Sequence, residues 1–525
     1  MLGSLPVAAE YSRRIGIAEI INGICPVREL AQLTHGQVIE ALIANRLSSP
    51  TSMVQVEDWA RHWAVEEVYG FPAAWLNDDR VARALDAIAP HVQTITGSVG
   101  AAAIDAFGID VTRIHWDMTS ISLYGSYDVV DAAFPAPSYG HPKDRRTDLK
   151  QIQTGLAVAA DGGIPVWHNV YDGGAGEVAQ VVEAMNELHK MAKAPRQLLI
   201  GDSKLISHGN VTAMTAAEVT FIAPLAAARV PAGLFPGLDK TKATPVDYVA
   251  RRDTGKPADQ VGTYIVFEDT MELTGRKKTD PVHQLRRVLV HSSANAAGAA
   301  KNRTKKLERA REDLDKLVRT AGTRYHPDHA AVTARINAIA AKRHIGAYLH
   351  TTVTVDDTGT PALTWRYDQD AIDAEAATDG WYALLTNLAP DEADAREILT
   401  RYKDQPIVER RYSNAKGPLA VAPLFLQTNQ RITALLTVIC LALLIYCLIE
   451  REARANLEPA TTMTGFYPDN RAVRPTAQLI LNTIGHMKLL PATRTRPAHV
   501  IPPDPLQARL LTLLHVDPTR PRWTE

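Results

Sequence analysis

Ile114-His-Trp-Asp117-Met-Thr-Ser-Ile-Ser-Leu123 is the stretch at which the chain changes texture. Its β-branched and aromatic residues predict a strand. A period of two places His115 and Asp117 on the same face. Working downstream, Gln153 to Ala159 predicts a second strand. Asp161-Gly162-Gly163 then turns the chain into Ile164 to Tyr171 as a hairpin. A helix is expected from about Glu177 to Lys193, and Arg196-Gln-Leu-Leu-Ile-Gly-Asp202 reads as a short buried strand ending on an aspartate. Strand, hairpin, helix and strand in that order predict an α/β core with a mixed sheet.

Upstream the pattern is helical, with apolar residues at helical spacing in Ile17-Ala-Glu-Ile-Ile, Val38 to Ala44 and Val81 to Ile88. Glu29 to Leu42 has the outline of two short helices with a turn near Thr34-His35-Gly36, a candidate helix-turn-helix for DNA. Most such patterns are simply packed helix pairs.

The totals set bounds. A chain of 525 residues exceeds a single core and predicts three or four domains. With 46% hydrophobic and 22% charged residues and a net charge of −1, the composition is that of a globular protein, so any nucleic-acid surface must be local. Three cysteines, all in apolar surroundings, exclude a disulfide framework and fit a reducing cytoplasm. The N-terminus lacks the apolar region of a signal peptide. Ile432 to Ile449 carries no charge over 18 residues, which is the lower limit of a membrane span; a fully buried core helix is the expectation, with no membrane partner.

Between about 226 and 378 the strand-and-helix logic breaks. Arg276 to Arg319 carries thirteen Lys or Arg against five Asp or Glu. Leu307, Ala310, Leu314 and Leu317, with Val332, Ile336 and Ile339, predict a two-helix hairpin within this basic block. In a DNA enzyme such a block is a credible backbone-binding arm. Thr351 to Tyr367 predicts two strands around a turn at Asp356, and Asp379 to Asn387 another strand. His326 and His329 lack further clustered ligands and read as a loop.

The chemistry centres on Tyr402-Lys-Asp-Gln405-Pro-Ile-Val-Glu409-Arg-Arg-Tyr-Ser-Asn-Ala-Lys416. Positions 402, 405, 409 and 416 fall in one narrow helical arc. Pro406 favours a helix that starts there, with Tyr402 and Gln405 on its approach. Two strand-borne aspartates, Asp117 and Asp202, with one helix-borne glutamate, Glu409, suit two hard divalent ions of the kind that serve phosphoryl transfer. Lys143, Arg145, Arg146 and Lys150 form a basic loop close to Asp117 and are candidate phosphate contacts. His115 is expected to be a structural histidine.

These segments resemble a known family, the DDE transposases of bacterial insertion sequences, in the group with a large insertion before the final glutamate. That group has the signature Tyr-x2-Arg-x3-Glu-x6-Lys, which maps to Tyr402, Gln405 in place of arginine, Glu409 and Lys416. The other matching segments are HWDMTSISLYG at 115–125, YGHPKDRRTDLKQ at 139–151, LLIGDSK at 198–204, DGWYALLTN at 379–387 and ALLTVICLALLIY at 434–446. The resemblance implies a helical N-terminal domain (1–108) and a ribonuclease-H-like catalytic core in two parts (109–225 and 379–455). A mixed strand/helix insertion (226–378) would interrupt the core, and a C-terminal tail (456–525) would end the chain. It further implies that Asp117, Asp202 and Glu409 are catalytic and bind two Mg²⁺ ions, with Mn²⁺ able to substitute. Tyr402 and Lys416, with Gln405 in the arginine position, would contact DNA. The implied partners are double-stranded DNA, as terminal repeats and as target, and a second copy of the chain in the active complex; the implied location is the bacterial cytoplasm, at the nucleoid. Two other readings stand beside this one: a metal-dependent nuclease without strand transfer, and a non-catalytic DNA-binding or membrane-anchored protein.

Overall fold

A computed structural model describes every residue except 129, 193–195, 232, 251–252, 422–423, 425 and 520–525. The chain forms two compact units, one of Met1–Ile222 with Asp404–Glu525 and one of Ala223–Lys403.

The first unit opens with seven helices: α1 (Leu5–Ile15), α2 (Ile17–Ile24), α3 (His35–Ser48), α4 (Val56–His62), α5 (Val65–Tyr69), α6 (Asp78–Ile88) and α7 (Val92–Phe107). The expected helix-turn-helix is not formed. Glu29 to Thr34 is not helical, and Thr34 instead caps α3 in a reciprocal box with Gln37. Eleven residues of α3 are buried, among them Val38, Ile39, Leu42 and Ile43, so no open face is left for a DNA groove.

The sheet of this unit runs β3-β2-β1-β4-β5, built from β1 (Arg113–Leu123), β2 (Lys150–Ala159), β3 (Pro165–Tyr171), β4 (Leu198–Ile200) and β5 (Thr220–Pro224). The first three strands are antiparallel; β4 pairs parallel with β1, and β5 parallel with β4, which makes the sheet mixed. Two helices, α8 (Glu177–Ala192) and α9 (His208–Ala216), make the crossovers. The β2–β3 turn uses Gly162 and Gly163, both at φ +68°, where L side chains are strained. A Cβ on Gly163 would also lie 2.7 Å from the Arg411 guanidinium.

After the second unit the chain returns as α14 (Pro406–Lys416) and α15 (Asn429–Ala455). Pro406 occupies the first turn of α14, where its missing N–H costs nothing. The apolar stretch of α15 is 94% buried within the protein. Each fully buried Leu or Ile there stabilises by about 1.5–3 kcal/mol. Its polar ends are tied down as well. Arg431 pairs with Asp86, Arg451 with Asp161, and Glu452 accepts from Arg14 and Tyr11.

The second unit holds the sheet β11-β8-β7-β6, from β6 (Thr244–Val246), β7 (Tyr264–Leu273), β8 (His283–Ser292) and β11 (Trp381–Thr386). It also holds α10 (Ser293–Thr320), α11 (His329–Arg343), the hairpin of β9 (Leu349–Val355) and β10 (Pro361–Tyr367), α12 (Gln369–Ala376) and α13 (Ala395–Tyr402). Ala310, Leu314 and Leu317 pack with Val332, Ile336 and Ile339 in one buried cluster. The basic block is not all helix, because β8 occupies its first part. Arg286 and Arg287 of β8 pair across the sheet with Glu268 and Asp269 of β7, and Arg303 of α10 pairs with Asp379. These three of the run's thirteen cations are therefore paired with acids outside it. The strand expected over Asp379 to Asn387 forms as Trp381–Thr386 and pairs antiparallel with β8.

Candidate functional site

Two acids of the site come from neighbouring parallel strands. Asp117 lies in β1 and is 7% exposed, while Asp202 follows β4, where its carboxylate accepts from the Lys204 N–H at 2.8 Å. The register aligns His115 of β1 with Ile200 of β4, so both strands deliver their acids to the same end of the sheet. An aspartate just past a strand end is a natural N-cap, which is how Asp202 opens the turn Ser203–Leu205.

A third acid converges here that the sequence reading did not single out. Glu177, the first residue of α8, accepts from the Met118 N–H at 3.2 Å. The same N–H lies 2.8 Å from Asp117 Oδ1. Two carboxylates, from a strand and a helix, thus crowd a single donor. Each also holds a lysine: Lys143 Nζ lies 3.2 Å from Asp117 Oδ2, and Lys204 Nζ donates to Glu177 Oε2. Burial pushes the Asp117 carboxyl up, Lys143 opposes this, and Asp202 adds to it. Glu177 is also raised, first by burial and then by Asp202 and Asp117, against the pull of Lys204. The only signal in the sequence was position, an acid in the first turn of the helix after the hairpin, among glycines.

The α14 helix lies along β1, running in the same direction. Gln405 Oε1 accepts from His115 Nδ1 at 3.0 Å, and Gln405 Nε2 donates to the Trp116 carbonyl at 3.2 Å. The Tyr412 hydroxyl is 2.8 Å from the Asp117 carbonyl and 3.0 Å from that of Thr154. Lys416 Nζ donates to Thr119 Oγ1 and the Ser120 carbonyl at 3.1 and 3.0 Å. Three side chains thus step along β1 at 115, 117 and 119. Arg411, 1% exposed, anchors the far side through the Gly162 and Gly163 carbonyls and Glu450. Glu409 stands at the edge of this packed face, exposed, and its carboxylate accepts no hydrogen bond among the described residues.

The expected DNA contacts are therefore placed unevenly. Gln405 is occupied by β1, a position an arginine could not fill in the same way, because it has no acceptor for His115. Burial holds His115 below the ordinary histidine range. Lys416 is engaged with β1, and desolvation lowers its ammonium. Lys143 is the partner of Asp117. Arg146 is paired with Asp148 at 2.7 Å, and Lys150 holds the Ser126 and Tyr127 carbonyls. Arg145 is exposed, at φ +62°. Tyr402 closes α13 in the second unit, and its ring lies 6.5 Å from that of Tyr382.

All the acids offer hard oxygen donors, the ligand type divalent magnesium prefers. As the side chains stand, no three His, Cys, Asp or Glu among the described residues are close enough to hold a metal ion; lysine ammonium groups fill the carboxylates instead.

Residues 1–95 match a family described as a domain of unknown function, DUF4277. Among solved structures, the chain is similar to the piggyBac transposase in a synaptic complex with hairpin DNA. The identity is 9%, over 92% of this chain and 78% of that one, with a TM-score of 0.38. Neither fold nor activity follows from a likeness of that size. No curated protein matches the sequence.

Proposed function

We propose that the chain is a DDE-type DNA transposase with a ribonuclease-H-like core, cutting DNA at the ends of its element and joining those ends to target DNA. The observation that carries this reading is α14 laid along β1. Contacts at His115, Asp117 and Thr119 seat the Glu409 helix against the strand of Asp117, next to the strand that ends at Asp202. A nuclease-type site of three acids on two strands and a later helix needs such a seat.

In this reading Asp117, Asp202 and Glu409, joined by Glu177, would hold two Mg²⁺ ions, for which Mn²⁺ substitutes. The chemistry those ions supply, when bound, is activation of an attacking oxygen and stabilisation of a leaving one. Lys143 and Lys204 neutralise the buried carboxylates in the resting site and would release them to the ions, leaving both ammonium groups free to meet DNA phosphates. Lys416 and Tyr412 keep β1 and α14 in register. Duplex DNA is the proposed partner, and joining two ends together calls for a dimer.

The test is metal-dependent cleavage of a duplex carrying the element's terminal repeat. Asp117→Ala, Asp202→Ala and Glu409→Ala should each lose on the order of a thousandfold or more in rate. Full activity in all three would refute the site. Strand transfer from pre-cut ends separates a transposase from a nuclease that only hydrolyses.

A further inference from the structure

A cavity of about 410 Å³ lies in the first unit between the end of α3, the segment 50–54 and the approach to α15. Arg46 borders it and is 6% exposed. The Arg46 guanidinium donates to the Thr51 carbonyl at 2.7 Å, but its Nε has no acceptor, and no carboxylate pairs with it among the described residues. Burial alone pushes it down to about 10. The neighbouring charges are committed elsewhere. Arg431 also borders the cavity and is held by both oxygens of Asp86, with Asp78 on the rim adding to its field.

An isolated buried cation is costly, and proteins ordinarily pair it. The cavity is the size of a small-ligand site and is lined by Thr51, Ser52 and Thr428 beside Arg46 and Arg431. Arginine forks match phosphate oxygens. We propose that this cavity binds a phosphate group of nucleotide-sized surroundings, with Arg46 as its principal cation. This goes beyond the carboxylate site and does not depend on it.

The experiment measures melting temperature against inorganic phosphate and thymidine 5′-monophosphate, and fluorescence anisotropy with a short random-sequence duplex. The proteins are the full wild-type chain, Arg46→Gln and Ser52→Asp. Glutamine retains a donor for Thr51 and removes the unpaired charge; aspartate at 52 sets a negative charge at the cavity without touching Arg46. The wild type should show saturable binding, weakened about tenfold or more in both variants. Ligand-free Arg46→Gln should melt at or above the wild-type temperature. Loss confined to phosphate and the mononucleotide identifies a free nucleotide or phosphate as the ligand, and parallel loss on the duplex identifies the DNA backbone; both support the site. The proposal is overturned if all three probes bind both variants as they bind the wild type, or if none binds the wild type. A ligand-free Arg46→Gln melting several degrees lower, with ligand responses intact, would make Arg46 a structural residue and overturn it as well.

Discussion

Two flanks of α14 do opposite work. The packed flank holds Arg411 and Tyr412, which satisfy carbonyls of the β2–β3 turn, of β1 and of β2. The open edge carries Glu409, whose carboxylate accepts no hydrogen bond among the described residues. The first flank fixes where the helix lies; the second spends no contact on stability.

The sharpest way to break the contrast is Arg411→Leu. It leaves two turn carbonyls without their donor and Glu450 with Arg454 as its remaining arginine, and should cost about 2–5 kcal/mol in chemical denaturation. Gln405→Ala, which strips the buried His115 and the Trp116 carbonyl of their partner, should cost about 1–3 kcal/mol in the same assay.

Glu177→Gln tests the acid cluster through pH. The Glu177 carboxyl is raised in the native state above its ordinary value of 4.5, so the folded chain binds the proton more tightly than the unfolded one. The stability this contributes is complete below that ordinary value and is lost as pH rises through the raised native one. The variant should therefore gain on the wild type across that window, and the gain should vanish in acid; a pH series of denaturation midpoints reads it. Smallest of all, Glu409→Gln should leave stability within about 0.5 kcal/mol of wild type. A larger loss would mean that the open flank is structural after all.

Much of the core was legible because its signals are local. β-Branched and aromatic residues mark β1, the glycine pair marks the β2–β3 turn, and 18 uncharged residues mark α15. The strand β8 was hidden because Arg286 and Arg287 look like part of a solvated basic run until Glu268 and Asp269 are placed across from them. The helix-turn-helix reading failed for a related reason. The spacing in α3 is that of any packed helix, and only its neighbours show that nearly all of it is covered.

The sequence by itself determined the periods and the turns, because spacing and residue type are local facts, and its resemblance to a known family marked Asp117, Asp202 and Glu409 as candidates. Only the tertiary structure decided what touches them. It brought Glu177 onto the Met118 N–H beside Asp117, gave Lys143 to Asp117 and Gln405 to His115, and left Arg46 buried without a counter-charge among the described residues. Each of these is a meeting of residues far apart in the chain or on different elements. Desolvation and charge pairing depend on that meeting and on nothing within either segment alone.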